Sequence, residues 1–162
     1  MTTGKVTGLD TVMKNLNKEI SGIRNRSLKG LIRAQIVIRR DMDTTSPTIP
    51  VQYGNLRASY YAVTANGEAA RGGKFKGDNA GKLASGHSEA ISNAHSLAKG
   101  AWGKGPLLIM GFSAFYAWFV HEMVGAVNWT RDGSGAKFLE AAIKNTYDKI
   151  LSIIRDEAKV KK

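Results

Sequence analysis

The feature that most constrains the fold is a long periodic run of apolar residues near the start of the sequence. From Leu9 to Ile23, apolar residues recur at steps of three and four, which places them on one face of a helix. The pattern resumes after Ser27 and reaches about Met42, with Gly22 and Ser27 as weak points between the two halves. The sequence therefore predicts a long N-terminal helix, continuous or in two parts.

Two strands and two further helices are predicted downstream. The prolines of "TTSPTIP" end the first helix, because proline removes a hydrogen-bond donor. The aromatic and β-branched run "ASYYAVT", 58–64, indicates a strand, and "LLIMGFS", 107–113, is its expected partner. "SAFYAWFVHEM" predicts a short helix capped by Ser113, and an apolar stripe from Phe138 to Ile154 predicts a C-terminal helix.

The segment between the two strands, 66–105, is rich in glycine, alanine, lysine, serine and asparagine. Such a composition is expected to bury too little apolar surface to fold alone, so we predict a long projecting loop or arm. A short helix over "SEAISNAHSLA" is an alternative for part of it.

The predicted fold class is α+β, in one domain spanning residues 1–162. Strands that are neighbours in sequence, with helices at both ends, favour a small antiparallel sheet packed on one face against the long N-terminal helix and the C-terminal helix. The long loop would be inserted between the strands.

Several classes of function are disfavoured by what the sequence lacks. It contains no cysteine, which excludes disulfides, thiolate metal sites and cysteine nucleophiles. Neither phosphate-loop nor dinucleotide-binding spacing occurs among its glycines, and its apolar runs are shorter than the roughly 20 residues of a membrane span. We therefore expect a soluble protein made in the cytoplasm, with no catalytic activity, no cofactor and no metal.

The three histidines do not form a recognisable site. His87 and His95 lie within the predicted loop and are expected to be exposed to solvent. His121 is followed by Glu122, but adjacent residues on a helix point in different directions, so the spacing does not predict an acid–base dyad. A structural or interface role is the expectation for His121.

The formal net charge is +11, which makes a polyanion or an acidic protein surface a plausible partner. Lys74, Lys76, Lys82, Lys99 and Lys104 lie in the predicted loop, interleaved with Phe75 and Trp102. Cations mixed with aromatic groups are typical of single-stranded nucleic-acid sites. The alternative is a charged loop that is simply solvated.

Three separated segments carry a family resemblance. "PVQYGNLRAS" contains Pro50, Val51, Gly54, Leu56, Arg57 and Ser59, and it resembles the Pro-Val-Asp-Thr-Gly-x-Leu-Arg-x-Ser signature of tailed-bacteriophage neck proteins. "YAWFVHE" resembles the family's second segment through Tyr116, Val120, His121 and Glu122, and "VNWTRDGSGAKFLEAAI", 127–143, resembles the third through Phe138 and Leu139. Gln52 and Tyr53 depart from the usual Asp-Thr.

The resemblance implies a structural virion protein that joins head to tail, known in such phages as a neck, minor capsid, head–tail connector or tail-completion protein. It would form a ring of identical subunits, a hexamer or dodecamer, around the DNA channel, after assembly in the host cytoplasm. Its partners would be the adjacent connector or adaptor and tail proteins, and double-stranded DNA in the channel. A tail terminator that caps the tail tube, and a basic nucleic-acid-binding protein, are the alternatives.

On this hypothesis each motif residue has an expected role. Pro50 and Gly54 set the passage from helix to strand, with Gly54 supplying a backbone angle or a close approach that a side chain would obstruct. Leu56 would anchor the segment in the core, and Arg57 would lie at its rim and pair with a carboxylate on the same or a neighbouring subunit. Tyr116 and Phe119, three apart on the short helix, would face inward.

Overall fold

The computed structural model describes residues 8–125 and 128–159. The elements, in chain order, are α1 (Leu9–Thr44), α2 (Asn55–Ala58), β1 (Tyr60–Thr64), β2 (Gly67–Arg71), α3 (Ala80–Ala101), β3 (Leu108–Phe112), α4 (Ala117–Glu122) and α5 (Phe138–Ala158). Val127, with which the third family-like segment begins, lies outside the described residues.

The long N-terminal helix is confirmed and is continuous. Helix α1 has 36 residues and runs through Gly22 and Ser27 without a break. It pairs with α5 in an antiparallel arrangement, because Asn145 donates to Asp41 near one end of the pair and Arg33 forms an ion pair with Glu157 near the other. The first and last helices thus form one helical layer.

Helices α1 and α5 approach closely at Gly30. A Cβ at this position would lie 2.9 Å from the Cα of Ile154, closer than real Cβ contacts allow. The missing side chain therefore lets the two backbones pack tightly here.

The two predicted strands are confirmed, and they pair directly. β1 is central in the order β2–β1–β3, with antiparallel pairing on both sides. The register places Tyr60 opposite Phe112 and Thr64 opposite Leu108. Strand β2 completes a tight hairpin with β1, a strand that the sequence analysis did not predict.

Both faces of the sheet are covered, whereas the prediction placed helices on one face only. Tyr60 and Ala62 belong to the main core, which contains Ile38 and Met42 of α1 and Phe138 of α5. Val63 packs instead with Ile91 and Ala94 of α3. Because successive strand residues point to opposite faces, the α1–α5 layer and α3 lie on opposite sides of the sheet.

The predicted loop over 66–105 is wrong for most of its length. It contains β2, and α3 alone has 22 residues. Leu83, His87, Ile91, Ala94 and Ala98 form the buried stripe of this helix. Alanine carries the highest helix propensity, and small residues in the stripe allow α3 to lie close to the sheet. This segment can therefore form a helix while burying little apolar area, which is why a loop was wrongly predicted from its composition.

Ser113 does not cap the short helix. Helix α4 begins at Ala117, after Tyr116, and no side chain caps its N-terminus. The hydroxyl of Ser113 instead lies 2.7 Å from Nδ1 of His87 and 3.3 Å from the carbonyl oxygen of Ser59. This serine links α3, β3 and the end of α2.

Candidate functional site

The segment 50–59 passes from α1 to the sheet through a glycine turn. Gly54 has a φ of 82° and immediately precedes α2, the short helix in which Leu56 is only 5% exposed. Ser59 is fully buried, and its hydroxyl donates to the carbonyl of Leu56 at 2.8 Å. These positions match the expected roles of Gly54 as a positive-φ residue and Leu56 as a core anchor.

Arg57 pairs with a carboxylate of its own chain. Its Nη2 lies 2.8 Å from Oδ1 of Asp43, which also accepts from Nη1 of Arg39 at 3.1 Å. The main-chain oxygen of Asp43 accepts from Arg131 at 3.0 Å. Burial lowers the pKa of Arg39, and the nearby charge of Arg57 acts in the same direction, while Asp43 opposes both. One aspartate therefore joins the end of α1 to residues 50–59, which we call the signature segment, and to the loop before α5.

The second and third segments contact each other directly. The amide of Lys137 donates to the carbonyl of His121 at 2.8 Å, and the ring of His121 packs edge-on against Phe138, 5.0 Å between centroids. Phe138 is 1% exposed, and Leu139 packs partly buried against the same core. The α4 end and the α5 start are thus one structural unit.

His121 and Glu122 do make contact, contrary to the argument from helical spacing. Nδ1 of His121 lies 2.8 Å from Oε1 of Glu122, and Lys137 forms an ion pair with the same carboxylate. The contact is possible because Glu122 is the last residue of α4, where the chain leaves the helix. A hydrogen bond from Lys137, and to a smaller extent one from His121, holds the pKa of Glu122 below its usual range.

An open groove of about 540 Å³ brings the family-like segments together, and we call it the aromatic groove. The first segment contributes Pro50 and Leu56, the second contributes Tyr116 and Val120, and Trp129 comes from the third. Burial raises the pKa of Tyr116. Segments far apart in sequence therefore converge on one concave surface.

Exposed aromatic side chains surround this region. Tyr53 and Phe115 line the aromatic groove while remaining 72% and 66% exposed. On α4, Trp118 and Phe119 are 75% and 60% exposed. Phe119 therefore points outward, contrary to the prediction, whereas Tyr116 packs against the core as expected. The inner side of this helix is formed instead by Ala117 and Val120, which lie on the same side as Tyr116.

A second concavity of about 560 Å³ lies on the other side of the signature segment, and we call it the basic groove. Its charged lining residues are Arg39, Arg57, Arg71, Lys74 and Lys76. Val51, Tyr53 and Gly54 line both concavities, so the signature segment is the ridge between them. Asn55 fixes the far wall through two hydrogen bonds of 2.9 Å to the main chain of Lys76.

The five lysines of the predicted arm are not one site. Lys74 and Lys76 line the basic groove, but Lys82 lies on α3 with its Nζ 5.0 Å from the centroid of Phe115. Lys99 is in the last turn of α3 and Lys104 follows that helix. The lining arginines Arg39 and Arg71 were missed, because they come from α1 and β2 and only the fold brings them beside the lysines.

The predicted stacking role of Phe75 also needs correction. Phe75 packs against the main core and lies edge-on to the ring of His87, with 5.5 Å between centroids. Its ring is thus occupied by the protein itself rather than available to a base. The alternation of lysines with an aromatic residue does not reveal whether the aromatic ring is packed in the core or exposed for stacking on a base.

His87 is buried rather than exposed, since it is 4% accessible in the inner stripe of α3. Its Nδ1 lies within hydrogen-bonding distance of the Ser113 hydroxyl, at 2.7 Å, and that hydroxyl also lies 3.3 Å from the carbonyl oxygen of Ser59. Nε2 is buried with no hydrogen-bond partner within 8–125 and 128–159. Burial lowers the pKa of His87, and the charge of Arg71 adds to this effect. His95 also binds inward, 3.2 Å from the carbonyl of Ala65.

Neither a metal cluster nor a membrane-spanning helix is found in the described part of the chain. No three of its histidine, aspartate and glutamate residues are grouped to hold an ion, and none of its helices is both long and apolar enough to cross a bilayer. Comparison with protein-family models, curated proteins and solved structures finds no match to this chain. The two grooves and the exposed side chains around them are therefore the candidate functional surfaces.

Proposed function

We propose that this protein is a structural subunit of a tailed-bacteriophage virion that joins the head to the tail as a ring around the DNA channel. The observation that carries the proposal is the convergence of the three family-like segments on the aromatic groove, with Tyr53 and Phe115 exposed along it. Exposed aromatic residues beside a concave surface are typical of protein–protein interfaces.

The arrangement of the two grooves supports an adaptor role. A subunit between head and tail must contact different neighbours on different sides, and the signature segment separates an aromatic surface from a basic one. In this proposal the aromatic groove receives a segment of an adjacent connector or tail protein. The basic groove faces an acidic protein surface or the DNA in the channel.

Light scattering combined with negative-stain electron microscopy of the same fraction tests this function. We expect closed rings with a central channel. A monomer that forms no larger assembly, and that binds nucleic acid with a steep dependence on salt, would contradict the proposal.

The role of the aromatic groove is tested by capture of purified phage tails or heads. Tyr53→Ser with Phe115→Ser is expected to weaken capture while leaving the fold intact, because both side chains line the aromatic groove and are exposed. Leu97→Ser is the matched control, since Leu97 is 66% exposed on α3 but does not line either groove. Equal loss of capture in both variants would argue against a specific groove.

Capture of tails alone would favour the tail-terminator alternative.

The basic groove favours one function of a different class, that of a nucleic-acid-binding protein. Arg39 and Arg57 share a single carboxylate, so the lining retains an excess of positive charge. Phosphate groups suit such a surface. This alternative predicts that the protein binds nucleic acid without forming rings. Negative-stain microscopy distinguishes it from the ring proposal.

A further inference from the structure

The first half of α1 is a helical extension whose apolar face is left exposed by the rest of residues 8–125 and 128–159. We define the α1 extension as residues 9–26, which lie N-terminal to Gly30, the point of closest approach to α5. Its apolar residues, the extension stripe, are between 38% and 62% exposed: Leu9, Val12, Met13, Leu16, Ile20 and Ile23. An unpartnered apolar stripe of this length marks an interaction surface.

This stripe is continuous with an interface that already exists. At intervals of seven, the series Leu9, Leu16, Ile23 and Gly30 and the series Met13, Ile20, Ser27 and Ala34 form two columns on one face of α1. Gly30 and Ala34, at the C-terminal end of these columns, are buried, with Gly30 against α5. The seam that α5 covers in the body thus runs on uncovered along the extension.

Helix α5 carries a second apolar stripe on its outer side. Ile143, Tyr147 and Leu151, spaced four apart, are 41%, 57% and 40% exposed, and we call them the α5 outer stripe. The two stripes of one molecule cannot meet. Helix α1 is continuous and antiparallel to α5, and Gly30 lies against Ile154. At 1.5 Å per residue, Ile23 is about 10 Å beyond that contact, on the side away from the α5 outer stripe. Each stripe is therefore available to another molecule.

We propose that the extension stripe of one copy packs on the α5 outer stripe of a second copy of this chain. The contact joins two different surfaces, so repetition closes a ring where the rotation allows it. The inference names the subunit contact of the ring, and in that respect it rests on the proposed function.

Charge favours this pairing over two extensions packed together. The extension contains Lys14, Lys18, Arg24 and Arg26 against Asp10 and Glu19, and α5 contains Glu140, Asp148, Asp156 and Glu157 against Lys144, Lys149 and Arg155. Two extensions would bring like excess charge together. An extension on the outer side of α5 avoids that repulsion, because the charges of α5 are balanced once Glu157, which already pairs with Arg33 of its own chain, is set aside.

Paired substitutions on the two faces of the extension test the contact. Leu16→Gln with Ile20→Gln removes the centre of the stripe. Both positions are exposed, so we expect the fold to be retained, and circular dichroism checks this. Thr11→Gln with Asn25→Gln is the matched control on the opposite, exposed side of the helix. By light scattering we expect the stripe variant to be monomeric and the control to assemble like the wild type. Assembly of the stripe variant at wild-type size would overturn the inference.

Cysteine cross-linking identifies which surfaces meet, since the chain has no cysteine of its own. Leu16→Cys protein and Tyr147→Cys protein are mixed in equal amounts and oxidised. A covalent dimer that forms in the mixture, and not in either protein alone, is the expected result. A dimer of Leu16→Cys protein alone indicates paired extensions, and no cross-link in any sample indicates no contact; either result overturns the inference.

The two proposals fail in different ways. Wild-type rings that survive the stripe substitutions, with no mixed cross-link, would reject this contact and leave the neck function standing. A mixed cross-link in an open chain or a simple dimer would keep the contact and count against a ring around DNA.

Discussion

Gly54 is the position in the signature segment where a single side chain is expected to matter most. Its φ of 82° lies in the left-handed region, and an added Cβ would meet no atom within 4 Å. Any cost of substitution is therefore backbone strain rather than a clash. We expect Gly54→Val to lower the free energy of unfolding by about 2 kcal/mol, because a β-branched residue is strongly disfavoured there.

Gly54→Asn is the control for this strain, because asparagine tolerates left-handed backbone angles. Urea unfolding of both variants measures the difference. Equal loss of stability in the valine and asparagine variants would show that φ is not the reason for glycine at this position.

His87 gives the fold a dependence on pH that can be isolated. Its folded-state pKa lies below the ordinary value of 6.5, so the unfolded chain binds a proton more readily than the folded one. The stability contributed by the neutral ring is present above pH 6.5 and is lost as the pH falls below it. Between about pH 7.5 and about pH 5.5, we expect the free energy of unfolding to fall by more in the wild type than in His87→Asn.

His95→Asn serves as the control for the pH experiment, because His95 is on the same helix and keeps His87 intact. Its urea unfolding curves at the two pH values are expected to retain the wild-type difference. If His87→Asn retained that difference as well, the titrating group would lie elsewhere.

At the scale of elements, the backbone just after β2 lies unusually close to the last residue of α2, just before β1. A Cβ on Gly72 would lie 1.9 Å from the carbonyl oxygen of Ala58, and the amide of Gly72 donates to Tyr60 at 2.7 Å. The sheet cannot keep this hydrogen bond and accept a side chain. We expect Gly72→Ala to reduce the free energy of unfolding by about 3 kcal/mol, the upper range for overpacking.

The neighbouring Gly73 provides the matched control, since a Cβ there would meet nothing within 4 Å. Gly73→Ala is expected to change stability by about 0.5 kcal/mol or less in the same chemical denaturation experiment. Similar losses at the two positions would mean that the close approach to Ala58 relaxes at little cost.

The elements differ in how well the sequence predicted them, and the reasons are physical. Helices α1 and α5 have strong apolar periodicity, and β1 and β3 are rich in aromatic and β-branched residues, so their types were predictable. The buried stripe of α3 has only Leu83 and Ile91 as large aliphatic residues, and its other members are His87, Ala94 and Ala98, so its apolar periodicity is weak. Strand β2, "GEAAR", gains its conformation from pairing with β1 rather than from its own residues.

At the scale of the whole molecule, the sequence predicts the parts of the site but not their assembly. Gly54, Leu56 and Arg57 were assigned the local roles that they have. The basic groove combines α1, α2 and the end of β2, and the aromatic groove combines three separated segments. Such combinations depend on long-range packing, which no local pattern encodes.

The net charge of +11 belongs to the whole molecule, but its effect on a polyanion is expected to depend on where the cations lie. Lys74 and Lys76 line the basic groove beside Arg39 and Arg57, whereas Lys99 and Lys104 lie at the end of α3. Replacing either pair by glutamine removes the same charge. If phosphates enter the basic groove, the first replacement should weaken binding to duplex DNA more than the second.

The measurement is the affinity for a random-sequence duplex as a function of salt. Each phosphate contact contributes about 0.9 to the slope of log K against log salt, so Lys74→Gln with Lys76→Gln should make the slope shallower by about 1.8. Lys99→Gln with Lys104→Gln should change it much less, because only contacts within the bound site release counterions. Equal changes for the two pairs would indicate that DNA responds to the overall charge, and an acidic protein surface would then be the better partner for the basic groove.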